Sequence, residues 1–181
     1  MIRSPRKIHK YLSLAISVQL LLWTISGIYF SFNKIEDVRG SQYLKPKEVI
    51  ETTKGNKIEA KQALILVAEK TYLTPQSVTE ITENESGSEY RGRSLPLYKI
   101  EAISEKNKEI NVYVDPFSKK IVAVRSNQWR IWDFMWGIHI MDWNERDNIG
   151  NIFLKIFSIL ALISALSGIY LFFTSSSKPK S

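Results

Sequence analysis

Two stretches without charge constrain this chain more than anything else in it. Tyr11 to Phe32 (YLSLAISVQLLLWTISGIYFSF) runs for 22 residues without Asp, Glu, Lys or Arg. That is roughly 33 Å of helix at 1.5 Å per residue, against a hydrocarbon core of about 30 Å. Ile152 to Phe173 (IFLKIFSILALISALSGIYLFF) is as long, and its one charge, Lys155, stands near the start, where a long side chain snorkels to the interface. Both runs are expected to span a bilayer. A soluble chain of 181 residues would have to cover two helices that are apolar all round, and nothing else here is large enough to do so. The first run exceeds the apolar region of about 7 to 15 residues usual in a cleaved leader, and TISGIYFSFNKIED offers no good small-x-small cleavage site, so it is expected to stay as an anchor.

Charge then sets the topology. The formal net charge is +7, yet the segment from 34 to 150 balances 18 basic against 18 acidic residues and holds every acid of the chain. The excess lies outside it, in Arg3, Arg6, Lys7 and Lys10 before and Lys155, Lys178 and Lys180 after. Such tails read as cytoplasmic anchors, not as a nucleic-acid-binding face, and they leave the long segment outside the membrane. Cysteine is absent, which excludes disulfides, thiol catalysis, zinc ribbons and covalently attached haem.

The outer segment opens with a stretch of mixed Lys, Glu, Gly and Pro that lacks a clear period and reads as a connector over 33–57. From Glu59 to Tyr72, Ala63, Leu64, Val67 and Ala68 recur at helical spacing, with Pro75 expected to end the run. Strand character follows at Val78 to Glu83, Leu97 to Ile103, Ile110 to Val114 and Ile121 to Val124, the last two joined by the turn Asp115-Pro116-Phe117-Ser118. The polar stretch ENESGSEYRGRS is expected to be a long loop between the first two strands. A helix on a small antiparallel sheet makes a minimal α+β unit.

The helix and strands ending in VYVDPFSKKIVAV resemble a PepSY domain. RKIHKYLSL leading into a helix that ends TISGIYF, and WGIHIMDW leading into one that ends ALSGIYLFF, resemble the membrane parts of PepSY-associated transmembrane proteins, so the resemblance covers most of the chain. The expected class is a membrane α-helical protein with two transmembrane helices plus a small extracytoplasmic α+β PepSY-like domain. Its expected parts are a basic tail over 1–10, helices over 11–32 and 149–173, the PepSY-like domain over 58–126, an interfacial Trp/His helix and turn over 127–148, and a second tail over 174–181. The resemblance implies a bacterial inner membrane with both termini cytoplasmic. Larger family members carry four or more membrane helices; this chain has two, so any site that needs four requires a dimer or a partner.

Ser26-Gly27-Ile28-Tyr29 and Ser167-Gly168-Ile169-Tyr170 repeat one tetrapeptide near the ends of two antiparallel spans, so one copy falls in each leaflet. Small residues there, with Ser164 and Gly168 spaced four apart, explain close helix approach; a glycine also leaves room for a flat ligand. The only two histidines complement the repeat, His9 with Gly168 at the cytoplasmic boundary and His139 with Gly27 at the outer one. His9, Ser13, Ile16, Leu20 and Gly27 are expected to share a face, since 18 residues make five turns. Trp129, Trp132, Trp136, His139 and Trp143 fall at spacings of 3, 4, 3 and 4, the stripe of an amphipathic helix at the membrane surface.

Neutral imidazole suits b-type haem, with Met1, Met135 and Met141 as possible axial alternatives, the latter two reading better as packing. By residues alone His9 also reads as part of a basic anchor, and the Trp/His stripe as an aromatic anchor. The resemblance implies haem b held non-covalently by His9 and His139. At roughly a bilayer apart, about 30 Å, they cannot share one iron, so paired ligation asks for a homodimer. The function expected is a haem-b electron-transfer protein, reducing ferric iron or a ferric siderophore; the rival from another class is a cofactor-free PepSY module that inhibits a protease or scaffolds a complex. Neither a recognisable Ser, Thr or Cys nucleophile with its base nor an HExxH or phosphate loop is present, so hydrolysis is not expected.

Overall fold

The computed structural model describes residues 5–46 and 55–175. Met1, Arg3, Lys178 and Lys180, and residues 47–54 of the expected connector, lie outside them. The elements run α1 (Pro5–Phe32), α2 (Ile35–Val38), a 3-10 turn (Ser41–Tyr43), α3 (Ala60–Lys70), β1 (Leu73–Ile81), β2 (Leu97–Ser104), β3 (Glu109–Asp115), β4 (Lys120–Arg125), α4 (Asn127–Ile140) and α5 (Ile152–Ser175). They form two compact units, Met1–Tyr29 with Met135–Ser181, and Phe30–Phe134.

In the first unit α1 and α5 run antiparallel, as the pairs His9 with Ser167 and Ser13 with Ser164 require. Within the described residues α1 runs from Pro5 and takes in Arg6, Lys7, His9 and Lys10 ahead of the apolar run. Only 17% and 6% of the two apolar windows are buried. Leu14, Val18, Leu21 and Ile28 on α1, and Ile159, Leu162, Leu166 and Ile169 on α5, stand exposed, which is untenable in water and natural in lipid. These are membrane helices, not the core of a soluble protein.

The face that α1 covers agrees with the one expected at His9, Ser13 and Ile16 and departs from it further along the helix. Ile16, Gln19 and Ser26 are buried, His9, Leu12, Ser13, Leu22 and Trp23 half-buried, whereas Leu20 and Gly27 are exposed. Positions 9, 12, 16, 19, 23 and 26 alternate in steps of three and four, a period of 3.5 rather than the 3.6 of a straight helix. Over the 18 residues from His9 to Gly27 that difference rotates Gly27 off the seam and brings Ser26 in.

The second unit is a four-stranded antiparallel meander in the order β1-β2-β3-β4. Ile100 lies opposite Val112, and Val112 opposite Val124, so one face carries an aliphatic row. Ala63 and Val67 of α3 close that face together with Leu73, Ala102, Ile110 and Val114. The helix ends at Lys70, earlier than Pro75 would force. Pro75 instead sits in β1, an edge strand longer than expected, beside a register shift between Pro75 and Ser77, where its missing N–H costs the ladder little. The connector is also more ordered than its lack of period suggests. Gly40, at φ +83°, lies against Val124: a Cβ there would come within 2.8 Å of Val124 Cγ1. Gly40→Ala is expected to destabilise this unit by about 1–3 kcal/mol through both strain and overlap. Urea unfolding of the full chain in mild detergent measures it, and a loss below about 0.5 kcal/mol would refute it.

The opposite face of the sheet buries Tyr90, Leu97, Tyr113 and Ala123. Tyr90 comes from the stretch expected to be a plain polar loop. That loop is anchored by charge: Glu89 accepts hydrogen bonds from Arg130 Nε (2.6 Å), Asn111 Nδ2 (2.7 Å) and Tyr113 Oη (3.0 Å), and Arg91 pairs with the buried Asp133.

Candidate functional site

Each histidine sits at one end of the α1 seam, and each meets a serine of the repeated tetrapeptide. His9 Nδ1 lies 2.8 Å from Ser167 Oγ, and His139 Nδ1 lies 2.8 Å from Ser26 Oγ. A serine hydroxyl has one proton to give. Ser167 donates its own to the Ser164 carbonyl at 2.9 Å, and Ser26 to the Leu22 carbonyl at 2.8 Å, the back-bonding usual for serine within a helix. Each oxygen then accepts from the imidazole, which assigns both rings the Nδ1–H tautomer and puts the lone pair on Nε2.

At the His9 end the glycine makes this possible. A Cβ on Gly168 would lie 3.1 Å from His9 Cε1, so the space a side chain would take on α5 is filled by the ring. Ser13 Oγ stands 2.8 Å from Ser164 Oγ and 3.5 Å from His9 Nε2. Gly27 is different: nothing lies within 4 Å of the position its Cβ would take.

At the other end the backbone also takes part. Trp23 Nε1 donates to the His139 carbonyl at 2.7 Å, and Trp136 stacks parallel to the His139 ring at 6.3 Å between centroids. The reversal after α4 is tightly built. Met141 takes φ +57°, ending the helix, so Trp143 leaves the Trp/His stripe expected to include it and stands exposed. Asp142 accepts from the backbone N–H groups of Asn148, Glu145 and Asp147, and Asn151 accepts from Leu154 N as it caps α5 while its Nδ2 donates to the Ile140 carbonyl. Partial burial opposes ionisation of Asp142, but these N–H groups outweigh it and hold the carboxyl below its usual range.

Burial also lowers the His139 pKa below the ordinary 6.5. The folded state therefore takes up this proton less readily than the unfolded chain, and the stability tied to the neutral ring is complete above about pH 6.5 and lost as pH falls below it. NMR titration of ring-labelled, haem-free protein in detergent is expected to give His139 a midpoint under 6.5; a midpoint above it would contradict the burial.

Both histidines and both glycines stand out in the sequence, whereas Ser26 and Ser167 read there only as small packing residues. The signal was present, since each stands one residue before its glycine in the repeat. Gln19 was missed altogether. It is the one amide within the first charge-free run, and its Nε2 is buried without a hydrogen-bond partner among the described residues.

A family model, the PepSY-associated TM region, matches residues 6–180. The chain belongs to that family. No curated protein and no solved structure matches it. In this PepSY-associated transmembrane protein the two membrane helices thus flank a small helix-on-sheet domain, the arrangement its sequence resembles.

Proposed function

We propose that this protein holds haem b through His9 and His139 and transfers electrons across the bacterial inner membrane as a homodimer, with both termini cytoplasmic and the sheet domain outside, delivering them to ferric iron or a ferric siderophore. The observation that carries the reading is the matched treatment of the two rings: in both, a serine oxygen accepts a hydrogen bond from Nδ1–H, which leaves Nε2 as the unprotonated nitrogen of the ring. A metal-ligating histidine ordinarily has its second nitrogen held in this way, which fixes the tautomer and raises the basicity of the ligating atom. Haem iron, when bound, supplies reversible one-electron exchange.

The protein's own contribution is to orient and to keep dry. Ser167 and Ser26 hold the imidazoles, Gly168 makes room for the His9 ring, and the aliphatic faces of α1 and α5 exclude water. Ser26, bonded to His139, and His9 lie 17 residues apart on α1, about 25 Å along the axis, so one chain cannot supply two axial ligands to the same iron. A second copy related by a two-fold axis brings like histidines together, His9 with His9 and His139 with His139, and makes four helices out of two. The visible spectrum of dithionite-reduced protein, purified in mild detergent from haem-sufficient cells, tests the reading. Sharp b-type bands are expected. A colourless protein would overturn it and favour a cofactor-free binding module.

A further inference from the structure

The outer segment is neutral in sum, but its charge is not evenly spread. Four arginines, Arg91, Arg93, Arg125 and Arg130, gather with two acids, Glu89 and Asp133, where the 82–96 loop folds over the sheet. Two of the four are matched: Arg91 pairs with Asp133 and Arg130 with Glu89. Arg125 is not. It is buried, 9% exposed, and stacks 4.2 Å over the Trp129 ring. Its hydrogen-bond partners are backbone carbonyls, Glu89 O from Nε at 2.8 Å and Val124 O from Nη1 at 3.3 Å, which leaves Nη2 unspent among the described residues. Glu89 tempers the charge from a distance, but its carboxylate is committed to Arg130, Asn111 and Tyr113.

Two further features open this cation outward. Arg93 is exposed and close enough to Arg125 to disfavour its charge; burial first, and then Arg93, bring the Arg125 pKa down to about 10, so Arg125 remains a cation at neutral pH. Gly92, between Arg91 and Arg93, has φ +73°, which turns the chain so that one arginine points in and the next stays out, and nothing lies within 4 Å of the place its Cβ would take. Beside them Ser88 Oγ is buried without a hydrogen-bond partner, while the Ser88 carbonyl accepts from Arg91. A buried guanidinium without a carboxylate partner, an exposed guanidinium beside it, bare backbone between and an unspent hydroxyl nearby are what an oxyanion requires.

The geometry points to an anion-binding site formed by Arg125, Arg93 and the open backbone at Gly92, with Ser88 at its edge, that takes a carboxylate of a small solute. Resting on the electron-transfer reading above, this narrows the acceptor to a carboxylate-bearing ferric chelate and disfavours neutral ones. Two guanidiniums supply forked donors suited to a planar carboxylate, and the Trp129 ring behind Arg125 keeps it from turning away.

Gallium(III) citrate is a redox-inert probe, so binding is read apart from electron transfer. Calorimetric titration of the full chain in neutral detergent is expected to show saturable binding, weakened about tenfold or more by Arg93→Glu, an exposed substitution that leaves the fold intact by circular dichroism. A neutral gallium trihydroxamate is expected not to bind. Unchanged affinity in Arg93→Glu, equal binding of the neutral chelate, or equally tight binding of inorganic phosphate would each overturn the assignment. A protein that binds gallium citrate but shows no haem bands would keep the anion site and lose the electron-transfer reading; haem bands without citrate binding would do the reverse.

Discussion

Replacing both histidines is expected to leave the purified protein colourless. If two copies pair as proposed, each end of the seam would offer its own pair of imidazoles, so His9→Ala and His139→Ala are each expected to remove about half of the reduced b-type bands, and the double variant all of them. Ser26→Ala is the graded version. It removes the oxygen that accepts the His139 Nδ1 proton at 2.8 Å but leaves the ring itself, and loss of such a supporting partner costs roughly 10–100-fold in metal affinity. Haem retention during dilution is therefore expected to fall in Ser26→Ala without disappearing. Bands unchanged in both single histidine variants would remove these residues as ligands even in a coloured protein.

The second large effect is expected in the sheet domain. Asp133 is 1% exposed and pairs with Arg91, which is 18% exposed. Asp133→Ala takes one charge out of a buried pair and strands the other, a change that typically costs about 3–5 kcal/mol. The double variant Asp133→Leu with Arg91→Met removes both charges and refills the volume, and it is expected to recover most of that loss, because the desolvation of each ion disappears with it. Urea unfolding followed by circular dichroism separates the outcomes: a single-variant loss under about 1 kcal/mol would mean that the pair is solvated despite its burial.

The parts of this fold that were legible in the sequence are those decided over short distances along the chain. Ala63 and Val67, one turn apart, mark the buried side of α3, and the Asp115-Pro116 turn marks the hairpin of β3 and β4. The errors have local causes too. Pro75 reads as a helix breaker, yet an edge strand accepts it as readily. Trp143 fits the spacing of α4, yet the positive φ at Met141 ends that helix first. Leu20 and Gly27 fit a straight helix, yet the face that is buried runs through Gln19 and Ser26 instead, and Ser26 bonds there to His139 at the end of α4. The ENESGSEYRGRS loop reads as solvated because its composition is polar, but four of its charges and rings, Glu89, Tyr90, Arg91 and Arg93, gather with residues of β3, β4 and α4 far along the chain.

Membrane insertion was settled by the sequence itself, because spanning a bilayer asks only for a charge-free run as long as the hydrocarbon is thick, a property of consecutive residues. The orientation of the imidazoles was decided only by tertiary structure. His9 and Ser167 are 158 residues apart, Ser26 and His139 113 apart. Which nitrogen of a ring keeps its proton depends on a hydrogen-bond partner a few ångströms away, and antiparallel packing of α1 against α5 with the end of α4 is what brings such partners to so short a distance.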